Sequence, residues 1–586
     1  MQRDEVTKKV EQIRKVAQNP EQITQNIYDV SCKFEVRDIL KNLDVLKRSG
    51  ALLSTIHMTL LVLPFIGVAS VGELFKSRLV KDGEGKKDAY YGAKNNEKIN
   101  WRMLLISIAR RFIQLVSKDK EALLEMEKAI TAIILDDSAN QKTGKSIEGI
   151  GYVYDHVSNT HILGYKLLVC GFWDGRSFIP IDFSIHKEKR DTELKKVEEQ
   201  VQKTNNKIKA AEKEVKEVKT QIQECEAQLK ETKAKYASNK GKTNKTNMER
   251  KQRKLDRAQA GLLKAKDRLN TLKEKATGLA NTLFDLKANH HFCGLSKKDF
   301  KNQYKKSRDR NTPGYKRKNE TSQSKNDNAI KMLKRAIRSG FVPDYVLTDS
   351  WFFCHKLLQA IIEIGRGVHL ISMAKIGTAK YTLLPNGDIL NPHQIITKYE
   401  RKQGKNSRKY KSRYIQFQAS YQGTRVKIFL VKFGRNNNWR MLVSTDLNIT
   451  FTKIMDTYAI RWSIEIFFRE CKQNLQLGKC QSNDFDAQIA DATLSMIRYI
   501  LLSYCERIRY GITIGGLFKE LSQAAIKENL LVGLHGYFFE LLKLFAEIAS
   551  VDFIGFYEEL LRNPRSEKLL TAIGLNQNKT PFFNVA

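Results

Sequence analysis

Three kinds of hydrophobic patterning follow one another along the chain. Short β-branched or alternating runs predict strands. They fall at TAIILDDS (131–138), GIGYVYD (149–155), YKLLVCGFW (165–173) and FIPIDFSIH (178–186). From about 190 to 290 the period lengthens. Leu194, Val197, Val201, Ile208, Val215 and Ile222 open a seam spaced by threes and fours, which a polar stretch, Ala237 to Arg250, interrupts. The seam resumes at Leu255, Leu262, Leu269 and Leu286. Two seams about a polar tip predict an antiparallel coiled-coil hairpin with arms of about 50–65 Å.

The strand pattern then returns. YVLTDS (345–350) leads into a helical SWFFCHKLLQAII, and further strands are predicted at VHLISMA, RYIQFQAS, RVKIFLVKF and WRMLVST, with a hairpin turn at Gln422–Gly423. Residues 296–325 and Lys380 to Lys411 are basic and read as loop-rich, as does Lys81–Glu97. Helical patterns flank this middle: Val36 to Leu46, the 51–76 run, Trp101 to Ser117, Asp486 to Tyr510, and Ile514 to the end. Tyr458 to Lys472 reads as one helix, at about 100° per residue. Tyr458, Arg461, Glu465 and Lys472 fall on one stripe and Ile460, Ile464, Phe467, Cys471 and Leu475 on another, suited to packing on a sheet.

Charge narrows the partners. The 586 residues carry a net charge of +38 with a pI near 9.7. The excess is spread along the chain, which favours a polyanion, most simply nucleic acid. The eight cysteines form no CxxC pair. His290, His291 and Cys293 have no second ligand pair at zinc spacing, so a reduced, cytoplasmic protein without structural zinc is expected. The opening MQRDEVTKKVEQIRK is unlike a signal peptide. The apolar run Ala51 to Val71 contains His57 and Pro64 and reads as buried helices, so no membrane partner is expected.

Three carboxylates stand in order: Asp136 or Asp137 at the end of one strand, Asp349 at the end of another, and Glu465 on a helix. Hard oxygen ligands from separate elements can hold two Mg²⁺ ions about 4 Å apart and break or join phosphodiesters.

Strand-Asp, strand-Asp, then Tyr-x2-Arg-x3-Glu-x6-Lys resembles the DDE transposases of bacterial IS4-type insertion sequences. Tyr458, Arg461, Glu465 and Lys472 meet that motif in full, with Trp462 after the Arg. The resemblance covers about 130–185 and 330–510. It implies an α/β fold with an RNase H-like catalytic core, two Mg²⁺ with Mn²⁺ as a substitute, and cut-and-paste transfer of DNA with inverted-repeat ends through a DNA hairpin. It also implies a homodimer on double-stranded DNA at the nucleoid. Asp136, Asp349 and Glu465 are then the catalytic metal ligands, with Asp137 the alternate first acid. Tyr458, Arg461, Lys472 and Arg469 contact DNA, and Trp439, at the end of a β-rich insertion, stacks on a flipped base. The sequence reads Asp136-Asp137-Ser138 where the family usually has Asp-Asp-Thr or Asp-Thr-Thr, and the long hairpin is not a general family feature.

The domains expected are a helical DNA-binding region (1–95), core segments at 96–186, 291–372 and 447–510, the hairpin insertion (187–290), the β-rich insertion (373–446) and a helical C-terminal region (511–586), a candidate for dimerisation. The other readings are a non-enzymatic coiled-coil DNA-binding or architectural protein, which leaves the four-residue motif to chance, and a nuclease of the same fold that cuts without joining.

Overall fold

The computed structural model describes residues 27–42, 50–76, 85–118, 129–188, 191–238, 240–289, 293–434, 438–508, 512–552 and 563. They divide into two units, one taking in residues 1–142, 166–186 and 305–586, the other 143–165 and 187–304. In chain order the strands are β1 (Ala132–Gln141), β2 (Gly151–Asp155), β3 (Thr160–Trp173), β4 (Phe178–His186), β5 (Tyr345–Thr348), β6 (His369–Ala374), β7 (Tyr381–Leu384), β8 (Ile389–Leu390), β9 (Lys405–Ser407), β10 (Ser412–Tyr421), β11 (Thr424–Phe433) and β12 (Trp439–Ser444).

The first unit is built on a mixed sheet. β4 pairs with β3, and the order then runs β3-β1-β5-β6-β12-β11-β10-β7-β8, with β9 on β10. β1, β5 and β6 are parallel, and β12, β11 and β10 continue antiparallel. The parallel part lies between helices, so Ala132 to Leu135 and all of β5 are buried on both faces, as their unbroken apolar runs require. The two-residue turn between β10 and β11 needs positive φ at both positions. Gln422 (49°) and Gly423 (84°) supply it.

Helix Phe485–Ile508 is buried along almost its whole length and packs against Trp101–Val116, β4 and the N-terminal helices. Its Arg498 donates to the carbonyls of Leu60 and Leu61 at the end of helix Leu53–Val62 and to Leu475, giving a buried cation the acceptors it needs. Within the apolar 51–71 run, Pro64 lies in a 3-10 turn, Leu63–Ile66, that ends the helix. No described helix is long and apolar enough to cross a membrane.

Several expected loops are ordered. Lys87–Lys94 is a helix inside the stretch read as a linker. The basic piece 380–411 holds β7, β8, β9 and helix Pro392–Gln403, started by an Asn391 capping box. Helix Pro313–Glu320 and the start of helix Lys325–Arg338 occupy the basic stretch after 305. Its cations are largely used inside the fold. Arg308 binds Asp484 and Asp486, and Arg317 joins Arg102 and Arg335 around the fully buried Asp182. Charge alone cannot tell such a network from a DNA-facing surface. After Asp349 the chain stays irregular until helix His355–Ile364, later than its apolar residues suggest.

In the second unit, helices Asp191–Ser238 and Lys242–Asn289 form a hairpin. Each arm has 48 residues, about 72 Å at 1.5 Å per residue and longer than expected. The contacts Lys287–Glu198, Lys273–Glu212, Arg268–Glu214 and Lys251–Gln228 advance in opposite directions along the arms, so they run antiparallel. Ile222, Cys225, Leu229 and Leu255 are buried between them with Val218, Met248, Ala258 and Leu262 alongside. At the foot, β2 pairs with residues 160–164 of β3, and the Cys293 carbonyl accepts from Tyr152 N. Cys293 is buried, whereas His290 and His291 lie outside the described residues, as do the chain before 27 and most of it after 552.

Candidate active site

Asp136 follows the last of four buried residues in β1, and Asp349 follows directly on β5. Leu135 is the register partner of Thr348, so the two aspartates are the next pair along parallel strands about 4.8 Å apart. Side chains at matched register share a face. Burial, and next the charge of Asp349, push the Asp136 carboxyl up to about 7, against the opposing pull of Arg461. Asp349 is braced from behind: Trp351 N donates to its Oδ1 (2.9 Å), and Ser372 Oγ to its carbonyl (3.2 Å).

Asp137 lies on the other face. Its Oδ2 takes Lys325 Nζ at 2.8 Å, and that ammonium also sits 4.1 Å from the Trp351 ring centre. The sequence left both aspartates open, and register sets Asp136 rather than Asp137 beside Asp349.

The Tyr458–Lys472 stretch is two helices, not one: Phe451–Ala459 and Trp462–Gln473. Thr450 caps the first, and Phe451 stacks on Tyr414 at 3.7 Å. Ile460 and Arg461 keep helical dihedrals, but the amides of Ile460, Arg461, Ser463 and Ile464 each bond three residues back. This tightening turns more per residue than the even 100° assumed. The second helix buries Ile464, Phe467, Phe468 and Cys471. Phe467 rests 5.2 Å from Phe178 of β4 and 4.9 Å from Tyr499.

So anchored, the helices turn the expected stripe to the acids. Arg461 donates from Nη1 to Asp136 Oδ2 (2.8 Å) and from Nη2 to Glu465 Oε1, so one guanidinium's width separates the two carboxylates. Tyr458 Oη donates to the Thr348 carbonyl at 3.3 Å, and burial pushes the phenol up to about 12. Lys472 Nζ donates to Ser138 Oγ (2.7 Å) and the Ala139 carbonyl (2.8 Å). Arg469, one turn beyond Glu465, is exposed and pairs with Glu470 at 3.5 Å.

Trp439 is not drawn into this group. β12 runs antiparallel to β6, so its start lies at the acids' end of the sheet. The register chain Thr348–Ser372–Val443, however, gives Trp439 the parity of Thr348, not of Asp349. Its neighbour there is Lys432, 5.9 Å from the indole centre. Arg440 has the acids' parity and lies over Phe433. No sequence signal singled out Lys325 or Arg440, because each owes its place to pairing between distant strands or helices.

Asp136 and Asp349, side by side, suit hard cations. Among the described residues, no three His, Cys, Asp or Glu side chains are gathered as a ready metal cage; Glu465 reaches Asp136 through Arg461 rather than directly. Arg461, Tyr458 and Lys472 provide donors of the kind that hold a phosphate.

Residues 296–501 match the family model of the Transposase DDE domain. This supports a DDE transposase, a DNA-processing enzyme of a class that generally works with divalent metal ions. The match includes Asp349, Glu465 and the Tyr458, Arg461 and Lys472 set, and leaves Asp136 before it. No curated protein matches the chain.

Proposed function

We propose that the protein is an IS4-type transposase that cuts DNA at the inverted-repeat ends of its element and joins the 3′ ends to target DNA. The observation that carries the reading is the parallel pairing of Leu135 with Thr348, which leads directly to Asp136 and Asp349, with Glu465 tied to Asp136 through Arg461. The strand order β4-β3-β1-β5-β6, with β1, β5 and β6 parallel, is what an RNase H-like core calls for, and the hairpin and the β7–β12 region stand as insertions in it.

In this reading Asp136, Asp349 and Glu465 would hold two Mg²⁺ ions, which would supply Lewis-acid activation of water or a 3′-hydroxyl and stabilisation of the leaving oxygen. Arg461 neutralises the acids until it turns to the phosphate beside the cut. Lys472 and Tyr458 flank that phosphate and fix its position. Arg469 extends the cationic line outward. Trp439, on the opposite parity, serves DNA only beyond the strand end, and Arg440 is better aimed at the DNA held over the acids. A homodimer acting through a DNA hairpin intermediate completes the proposal.

The test uses the full chain with duplexes carrying the element's ends. Glu465→Gln and Asp349→Asn each abolish Mg²⁺-dependent cleavage and retain DNA binding. Cleavage at the wild-type rate in either variant refutes the assignment. Cleavage without joining to target DNA reduces the protein to a nuclease.

A further inference from the structure

The charge of the helical hairpin is not evenly spread. Positions 230–257, which surround the turn, carry eleven lysines and arginines against three aspartates and glutamates. The remaining lengths of the two arms, 191–229 and 258–289, carry fourteen against twelve. Toward the foot the cations are partly matched across the seam, as in Lys287–Glu198, Lys273–Glu212 and Arg268–Glu214. Around the turn the ion pair among described residues is Lys235–Glu231.

The tip cations are also ordered in space. Arg250, Arg253, Lys254 and Arg257 recur at i, i+3, i+4 and i+7, one face of helix Lys242–Asn289, and all are exposed. The buried seam, marked by Leu255 and flanked by Met248 and Ala258, faces elsewhere. The four cations span about 10 Å of helix. Duplex DNA carries one charge per about 1.7 Å of its axis, so an equal length presents roughly six phosphate charges. A coiled seam needs no such concentration of like charge, which opposes helix formation by self-repulsion.

We propose that the hairpin tip is a second DNA-binding surface, remote along its own arms from their foot, that grips the phosphate backbone of duplex DNA without reading sequence. This rests on the transposase reading for its ligand, but not on the placement of the acids. Lys240, Lys242 and Lys245, exposed at the turn, extend the same surface.

The test compares two full-length variants lacking equal charge. One carries Arg250→Gln, Arg253→Gln, Lys254→Gln and Arg257→Gln at the tip. The other carries Lys195→Gln, Lys203→Gln, Lys207→Gln and Lys209→Gln near the foot. Affinity for a long duplex of unrelated sequence is measured against salt, and circular dichroism confirms retained helix. The tip variant should lose about 0.9 from the slope of log K against log salt per contact removed, some 3–4 in all. The foot variant should keep a slope within about 1 of wild type. An unchanged slope in the tip variant, or an equal loss in both, overturns the proposal. If that happens while wild-type cleavage of element ends persists, the tip fails and the transposase reading stands. A wild-type chain that binds no duplex overturns both.

Discussion

The Arg461 guanidinium bridges two carboxylates that lie 329 positions apart in the chain, Asp136 and Glu465, with its Nη1 2.8 Å from Asp136 Oδ2. It joins the middle of β1 to the second helix of the motif and opposes the repulsion that the paired aspartates create.

Arg461→Met should therefore expose that repulsion. In metal-free buffer we expect a loss of about 1–3 kcal/mol, the cost of leaving a buried charged group without its hydrogen-bond partner. Mg²⁺ should stabilise this variant more than wild type, because no side chain then competes for the acids. Urea melts with and without Mg²⁺ give the comparison, and equal Mg²⁺ effects on both proteins count against a shared site.

The raised proton affinity of Asp136 has a definite sign. Its folded value of about 7 exceeds the value of about 3.9 for a free aspartate. Between those limits the folded state binds the extra proton, so this group favours folding most at the acid end, and its contribution declines as pH rises toward 7. His57 and His186, both lowered to about 4 by burial, act in the opposite direction over a similar range. The prediction is therefore on the difference. Metal-free Asp136→Asn should gain stability relative to wild type from pH 4 to 7, read by denaturant midpoints. A difference that does not vary with pH contradicts it.

Gly171 supports the site from a distance. A Cβ there would lie 2.0 Å from the Phe178 ring, and Phe178 in turn carries Phe467 on the Glu465 helix. Gly171→Ala should cost about 1–3 kcal/mol by overpacking, and should slow DNA cleavage as the helix shifts. Melting temperature and cleavage rate should fall together; an unchanged rate separates this support from the acids.

Asp182 holds three cations. Burial raises its proton affinity, but Arg102, Arg335 and Arg317 outweigh that and hold the carboxyl below its usual range. Asp182→Asn should cost about 3–5 kcal/mol, because it leaves buried guanidiniums uncompensated. Wild type should lose this contribution as pH falls through the carboxylate range, and the variant should not. Acid titration of stability in both proteins checks the effect.

Local order was legible wherever it repeats along the chain. The strand leading to Asp349, the turn at Gln422–Gly423, the 3-4 spacing of the two long helices and the Tyr458–Lys472 stripe all follow from periods of about two or 3.6 residues, which side-chain burial imposes on any amphipathic element. The first strand, expected to end at its aspartates, instead carries Asp136 mid-strand and runs on to Gln141. Partnership was not legible. The sequence resemblance prefers Asp136 but keeps Asp137 as the alternate, and parallel register with β5 sends one toward Asp349 and the other to Lys325. Trp439 and Arg440 are neighbours, and pairing through β6 sets which of them shares the acids' face. Likewise, Arg308 and Arg253 are both cations in basic stretches, yet one is buried on Asp484 and Asp486 and the other faces solvent. Sequence fixes which groups are present and the local pitch that orients them. Which distant groups meet depends on strand order and helix docking, set by the packing of the whole core.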